Sequence, residues 1–86
     1  MNISVELTLI PLKNDFETPI KAFIKSLRTG GFTILENPLS TQIYGDYNQL
    51  MHFLTDEIRT VFEAEDVLIL TLKIVKGDRS AYVPSF

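Results

Sequence analysis

Apolar and polar side chains alternate along residues 3–10, the first regular pattern in the chain. A period of two residues is typical of a β-strand that buries one face in a core. Pro11 is predicted to end this strand. The face predicted to be buried holds Val5, Leu7 and Leu9, and the opposite face holds Ser4, Glu6, Thr8 and Ile10.

A stripe of apolar residues at helical spacing follows the first strand. Its members lie at positions i, i+3, i+4 and i+7, which places them on one face of an amphipathic helix. Thr18 is predicted to cap the N-terminus, with Pro19 at the first helical position, where a missing N–H costs nothing. Gly30 and Gly31 provide a residue of positive φ that can end the helix. The stripe consists of Ile20, Phe23, Ile24 and Leu27.

The segment Asn37–Asp46 predicts a turn, a strand and a helix start in succession. Asn37 precedes a proline, which disfavours helical backbone and favours a turn. Asp46 carries a carboxylate that can accept a backbone N–H, so it is predicted to cap the second helix. A short strand, Phe32–Leu35, precedes the segment. Within the segment, Thr41, Ile43 and Gly45 point to one side of the strand, and Gln42 and Tyr44 point to the other.

A second amphipathic helix and a final strand complete the predicted elements. The helix follows Asp46 and ends at the acidic segment Glu63-Ala64-Glu65-Asp66. The strand, Val67–Val75, is rich in residues that favour β-structure. The apolar stripe of the helix holds Leu50, Phe53, Leu54, Ile58 and Val61. The strand is predicted to turn Leu68, Leu70, Leu72 and Ile74 inward and Ile69, Thr71 and Lys73 outward.

This order of elements, β-α-β-β-α-β, predicts an α+β fold of the ferredoxin-like type, with a four-stranded antiparallel sheet and both helices on one face. The other face mixes apolar residues with Thr and Glu, which favours cover by a partner. Residues 1–79 are predicted to form the domain. Residues 80–86 form a C-terminal tail that is either mobile or docked on a sheet edge or a neighbouring subunit. The uncovered face would display Glu6, Thr8, Ile10, Leu35, Tyr44, Ile69 and Thr71.

Length and charge narrow the class of partners. A chain of 86 residues buries only a little over ~60% of the surface that its unfolded form exposes, so we expect self-association to a dimer or tetramer. The net charge is −3 and none of the eight Lys and Arg residues lies in a run, so we expect no binding to nucleic acid. No apolar run is long enough to span a bilayer. We therefore expect no membrane partner and a cytoplasmic location.

Residues that could carry out catalysis or bind a metal are few. There is no cysteine and one histidine, His52, which lies off the apolar stripe of the second helix. A zinc site needs several His or Cys ligands, and a hydrolytic triad needs a histidine beside a nucleophile. We predict no enzyme, no metal and no cofactor. Glu6 is either a solvated strand residue or, if its face is covered, a carboxylate that needs a donor or a cation.

Three segments resemble the small thiamine-binding protein family, whose tandem-repeat members bind thiamine or its hydroxymethylpyrimidine portion through ferredoxin-like domains. The segments are Leu7–Leu12, Pro38–Asp46, and Thr71–Ile74 with the turn after it. In the first of them, a hydroxyl residue and apolar residues precede Pro-Leu. The chain differs from the tandem members in carrying a single copy and in lacking an extended glycine turn after Leu12. The resemblance implies a non-enzymatic binding protein that acts as an oligomer.

The resemblance also implies which residues contact the ligand. The hydroxyls of Thr8, Ser40 and Thr41 can donate to or accept from an aminopyrimidine. Tyr44 can stack on its ring, and Glu6 favours the cationic thiazolium of thiamine.

An alternative hypothesis is a regulatory or assembly module, similar to amino-acid-sensing ferredoxin-like domains. Its open sheet face would pair with itself or with another protein, without a small ligand. A cavity lined by the hydroxyls would favour the ligand hypothesis. Tight packing of Ile10, Leu35 and Ile69 from another subunit would favour assembly.

Overall fold

The computed structural model describes all residues, Met1–Phe86. One antiparallel sheet has the strand order β2-β3-β1-β4, so the ferredoxin-like α+β fold is confirmed. A 3-10 turn, Arg28–Gly30, follows the first helix. The elements in chain order are β1 (Asn2–Pro11), α1 (Glu17–Leu27), β2 (Thr33–Glu36), β3 (Thr41–Asp46), α2 (Tyr47–Ala64) and β4 (Leu68–Lys76).

Strand β1 is central and fixes the two faces of the sheet. Val5 lies opposite Ile43 of β3 and Ile74 of β4, so all three side chains point toward the helices. The predicted alternation of β1 is confirmed, because the residues on its helix side are buried. The core consists of Ile3, Val5, Leu7, Leu9, Phe23, Leu27, Ile43, Leu50, Leu54 and Val61. We call the side of the sheet without helices the open face.

Strand β1 extends one residue further than predicted, because it includes Pro11. Pro11 lies opposite Leu68 of β4, and the pairing of β1 with β3 ends earlier, at Leu7 opposite Thr41. The missing N–H of Pro11 therefore faces away from β4, beyond the start of β3. A proline is tolerated in a strand where no donor is needed.

Asp46 caps α2 as predicted. It has extended backbone, and its carboxylate accepts the N–H of Gln49 at 3.3 Å. This hydrogen bond to the charged form lowers the pKa of the Asp46 carboxyl below its ordinary value. The cap ends β3 and starts α2 within one residue, which fixes how the chain leaves the sheet.

The predicted start of α1 is wrong. The helix begins at Glu17, and Phe16 at the N-cap provides no side-chain hydrogen bond. Asp15 takes over the capping role, since its Oδ1 accepts from the Thr18 N–H at 3.4 Å and from the Thr18 hydroxyl at 2.9 Å. Thr18 is thus a donor inside the first turn, and Pro19 still lies where no backbone donor is required.

Two positions require glycine, one because of its positive φ and the other because an aromatic ring leaves no room for a Cβ. Gly31 has φ of 78° after the 3-10 turn, which confirms the predicted left-handed residue at the end of this helical segment. Gly45 lies beneath the ring of Phe32, and a Cβ there would approach Phe32 to 2.6 Å. Phe32 in turn packs against Phe53 of α2, with ring centroids 5.4 Å apart. Gly45 therefore makes room for an aromatic pair between the sheet and α2.

The predicted burial of β4 holds only for its first half. Leu68 and Leu70 pack against the core. Leu72 and Ile74 do point to the helix side, but they remain 41% and 43% exposed. The reason is that β4 is an edge strand and the helices cover only its beginning.

The tail carries three exposed apolar side chains, Tyr82, Val83 and Phe86. After β4, the N–H of Gly77 donates to the carbonyl of Asn2 at 2.8 Å, and the N–H of Tyr82 donates to the carbonyl of Arg79 at 3.1 Å. Neither helix combines the length and apolar character that a bilayer crossing requires.

Truncation of Leu54 should be costly, because this side chain is 1% exposed within the core. We expect Leu54→Ala to lower the free energy of unfolding by about 2–5 kcal/mol, measured by urea denaturation. Leu39→Ala is the matched control, since Leu39 is 85% exposed and should change stability by no more than about 0.5 kcal/mol. Equal losses in the two variants would contradict the assigned core.

Candidate functional site

The five residues predicted to contact a ligand divide between two cavities. Thr8, Ser40 and Thr41 line one cavity at the Pro11 end of the sheet. Glu6 and Tyr44 line a second cavity on the open face. Thr41 points to the helix side, as its position opposite Leu7 requires, whereas Tyr44 lies opposite Ser4 on the open face. Thr41 and Tyr44 are therefore on opposite faces and do not share one pocket.

The first cavity, which we call the hydroxyl cavity, lies between α1, β1 and the loop that joins β2 to β3. Its volume is about 140 Å³. The three predicted hydroxyl residues contribute the polar part of its lining, together with Asn37. The apolar lining comes from Leu7, Leu9, Ile20, Phe23, Ile24, Pro38 and Leu39.

Thr41 offers the hydroxyl cavity an available polar group. The residue is 6% exposed, and its hydroxyl has no hydrogen-bond partner within the chain. No side-chain polar atom is both fully buried and without a partner, so the Thr41 hydroxyl retains access to the cavity. By contrast, the Thr8 hydroxyl donates to the carbonyl of Leu39 at 3.3 Å, which ties the loop to β1.

Glu6 is the centre of a polar network on the open face. The hydroxyl of Ser40 donates to its Oε2 at 3.1 Å, and the amide of Gln42 donates to the same oxygen at 3.5 Å. Lys73 approaches its other oxygen at 3.8 Å. The Tyr44 hydroxyl donates to Gln42 Oε1 at 3.3 Å. The chain itself therefore supplies Glu6 with hydrogen-bond donors and with a cation.

Ser40 connects the two cavities. It lines the hydroxyl cavity while its hydroxyl is bonded to Glu6 on the open face. The β2–β3 loop places Ser40 directly before β3, at the Pro11 end of the sheet, where it can contact both faces. A molecule that fills the hydroxyl cavity and extends past Ser40 would approach the Glu6 carboxylate.

The second cavity, which we call the open-face cavity, has a volume of about 160 Å³ and includes residues that sequence reasoning missed. The alternation of β3 already placed Gln42 beside Tyr44, so Gln42 could have been found from the pattern. Arg79 could not, because it lies after β4 and reaches the open face only through the turn that follows. The cavity is lined by Ser4, Val5, Glu6, Gln42, Tyr44, Lys73, Val75 and Arg79.

Ser4 holds that C-terminal turn against the open face. Its hydroxyl donates to the carbonyl of Gly77 at 2.8 Å and accepts the N–H of Arg79 at 2.8 Å. Ser4 and Tyr44 are both buried, although they lie on the side of the sheet without helices. The turn therefore covers part of the open face near the start of β1.

The two cavities differ in their titratable side chains, because Glu6, Lys73 and Arg79 line the open-face cavity only. The hydroxyl cavity contains no titratable side chain among its lining residues, so it has no general acid or base. The chain has no cluster of three His, Cys, Asp or Glu residues that could hold a metal ion.

Comparison with known proteins gives a fold match without a sequence match. No family model matches the chain, and no curated protein matches it either. Several solved structures do. A Streptococcus pneumoniae protein is 25% identical, and the match covers 94% of this chain and 92% of that chain with a TM-score of 0.83.

Two further solved structures share the fold at lower identity. A Thermotoga maritima protein with a provisional assignment to thiamine biosynthesis or salvage is 18% identical, with 86% of this chain and 82% of that chain covered and a TM-score of 0.78. A domain of unknown function, DUF77, from Bacillus cereus is 15% identical, with 99% and 84% covered and a TM-score of 0.73. These likenesses establish the fold, and a fold alone does not determine a function.

Removing the Ser4 hydroxyl should loosen the C-terminal turn. Ser4→Ala deprives the Arg79 N–H and the Gly77 carbonyl of their partner, so the turn should open more often. We expect trypsin to cleave after Arg79 faster than in the unmodified protein, as followed by mass spectrometry. Ser40→Ala is the control, because the Ser40 hydroxyl bonds Glu6 and not the turn. Unchanged cleavage in Ser4→Ala would show that Ser4 does not hold the turn.

Proposed function

We propose that this protein is a non-enzymatic, self-associating binding protein for thiamine or a related hydroxymethylpyrimidine, with the pyrimidine ring in the hydroxyl cavity. The observation that carries the proposal is the hydroxyl cavity itself, in which the unpartnered Thr41 hydroxyl faces a mostly apolar space. The shared fold of the Thermotoga maritima protein assigned provisionally to thiamine biosynthesis or salvage adds support.

The size of the hydroxyl cavity fits one six-membered ring. An apolar protein cavity of about 150 Å³ is known to hold a benzene molecule, and the hydroxyl cavity measures about 140 Å³. Ligand pockets for drug-sized molecules are larger, about 300–1,000 Å³. A pyrimidine is therefore accommodated, whereas the second ring of thiamine has to lie outside the cavity.

The polar lining suits an aminopyrimidine. Such a ring presents an amino donor and ring-nitrogen acceptors, and the Thr41 hydroxyl can serve either of them. Asn37 also lines the cavity, and its side-chain amide offers both donors and an acceptor. The apolar walls would contact the ring faces, so that only a few polar groups need to set its orientation.

The negative charge of Glu6 and of the whole chain would attract the cationic thiazolium of thiamine outside the hydroxyl cavity. Ser40 lies between the hydroxyl cavity and Glu6, and the chain carries a net charge of −3. A thiazolium placed beside Ser40 would compete with Lys73 for the Glu6 carboxylate. We therefore expect thiamine to bind only modestly more tightly than the pyrimidine alone, since a partly exposed ion pair contributes about 0–1 kcal/mol.

Self-association, to a dimer or tetramer, is the second part of the proposal. The open face carries Ile10, Leu35 and Ile69, each at least 40% exposed. Covering these side chains by another copy would remove apolar surface from water, the main favourable term in association. The same observation favours the second candidate function, an assembly or regulatory module that uses the open face without a small ligand.

Ligand binding should raise the melting temperature. A ligand that binds only the folded state at a hundredfold excess over its dissociation constant contributes about 2.7 kcal/mol of stability. We expect both hydroxymethylpyrimidine and thiamine to give a saturable increase in melting temperature and measurable heat in isothermal titration calorimetry. Flat titrations with both ligands would reject ligand binding. If the protein nevertheless self-associates, the result would favour the assembly module.

Thr41→Val should weaken binding and leave self-association unchanged. The substitution removes the hydroxyl but keeps the branched shape, so a bound pyrimidine would lose one hydrogen bond, worth about 0.5–1.5 kcal/mol. The corresponding increase in dissociation constant is about 2–12-fold. Thr55→Val is the matched control, because Thr55 lies on α2 with its hydroxyl bonded to the carbonyl of Met51. Equal affinities in the two variants would remove Thr41 from the site.

A further inference from the structure

The sheet has one long free edge, formed by β4. The strand order leaves β2 and β4 at the edges, but β2 has four residues and β4 has nine. Short edge strands resist pairing with other chains, whereas a long regular edge presents a row of unpaired N–H and C=O groups. β4 contains neither proline nor glycine. It is therefore the edge to which another strand can be added.

The even-numbered residues of β4 carry the free backbone groups. The N–H of Leu12 donates to the carbonyl of Val67 at 3.0 Å, and the N–H of Gly77 donates to Asn2. Because hydrogen-bonded and non-hydrogen-bonded pairs alternate in an antiparallel ladder, the odd-numbered residues between these ends direct their N–H and C=O groups to β1. The residues with outward groups are Leu68, Leu70, Leu72, Ile74 and Lys76.

Exposed apolar side chains lie next to this edge on both faces of the sheet. Leu72 and Ile74 are exposed on the helix side, and Ile69 and Val75 are exposed on the open face. Lysine often protects an edge strand from pairing, but Lys73 leans toward its own sheet, where it approaches Glu6 at 3.8 Å. Free backbone groups and apolar side chains thus coincide on one strand.

We propose that β4 pairs with β4 of a second copy of this chain, antiparallel and about a two-fold axis through Leu72, so that the two sheets become one. Antiparallel pairing about such an axis is an isologous contact, in which the same patch is used by both copies. In this register Leu72 lies opposite Leu72 of the second copy, Leu70 opposite Ile74, Ile69 opposite Val75, Thr71 opposite Lys73, and Leu68 opposite Lys76.

Hydrogen bonding and charge favour this register over registers centred on a neighbouring residue of β4. Centring on Leu72 gives every outward residue of β4 an outward partner. Centring on Lys73 would place the two Lys73 side chains opposite each other, which is destabilising. With Leu72 at the axis, Lys73 instead lies opposite Thr71 of the second copy, so no like charges face each other. Apolar pairs then form on both sides of the sheet, with Leu70 opposite Ile74 on the helix side and Ile69 opposite Val75 on the open face.

This pairing goes beyond the proposed ligand binding and does not involve the hydroxyl cavity. It uses the edge of the sheet, whereas the self-association described above uses its open face. The two contacts are compatible, since an edge-paired dimer still exposes two open faces. Failure of ligand binding would therefore leave the edge contact standing, and the reverse also holds.

Cysteine cross-linking tests the axis, because the natural chain has no cysteine. In a hydrogen-bonded antiparallel pair, opposite Cα atoms lie about 5.5 Å apart, within the range of about 4.4–6.8 Å that a disulfide allows. Leu72→Cys should therefore form a disulfide-linked dimer under mild oxidation. Ile74→Cys is the control, since two residues 74 would be about 14 Å apart along the paired strands and should stay monomeric on a non-reducing gel.

Charge substitution at the same position gives an independent readout without oxidation. Leu72→Lys and Leu72→Glu each place like charges opposite each other at the axis, so each variant should lose the edge dimer in sedimentation velocity. An equimolar mixture should restore a dimer, because opposite charges then face each other. Leu72 is 41% exposed in one copy, so both variants should retain the circular dichroism spectrum of the unmodified protein.

Three results would overturn the edge contact. The first is failure of Leu72→Cys to cross-link, or cross-linking of Ile74→Cys to the same extent. The second is an unmodified protein that sediments as a monomer at all concentrations. The third is an assembly that survives unchanged in both charged variants, which would locate self-association elsewhere, such as on the open face.

Discussion

The alternation of side chains along the central strand β1 is the constraint on which the rest of the structure depends. Because successive residues of a strand point to opposite faces, Val5 and Leu7 enter the core while Ser4, Glu6 and Thr8 face away from the helices. β1 pairs with both β3 and β4, so its register determines the face of every residue on those strands. A slip of one residue would exchange the two faces.

The same constraint explains why the candidate site is divided. Thr41 and Ser40 are neighbours in sequence, but only Thr41 points toward the helices, where α1 and the β2–β3 loop leave the hydroxyl cavity. Glu6 and Tyr44 lie on the open face, where Gln42 and Lys73 satisfy the carboxylate. The sheet itself therefore separates an unpartnered hydroxyl in an apolar space from a charged network that the chain already completes.

Much of the fold could be predicted from the sequence, because it depends on local signals that agree with each other. The period of β1, the stripe of α1, the cap at Asp46 and the turn at Gly31 each follow from a few adjacent residues. The misassigned start of α1 has a physical reason. Asp15 and Thr18 are both good capping residues, and only the geometry of the preceding loop decides which of them accepts the hydrogen bond.

The features that could not be predicted depend on distant parts of the chain. The bond from Ser4 to the Gly77 turn joins residues at opposite ends of the sequence, and no local pattern marks it. The exposure of Leu72 depends on how far the helices extend across the sheet edge, which periodicity does not report. The hydroxyl cavity arises from packing between α1 and a loop.

Backbone amide chemical shifts during a titration with hydroxymethylpyrimidine test the central claim most directly, because they locate the ligand residue by residue. Binding in the hydroxyl cavity should produce saturable shifts at Ser40, Thr41 and Ile24, with much smaller changes at Arg79 in the open-face cavity. No shifts at saturating ligand, or shifts confined to the neighbourhood of Arg79, would contradict it.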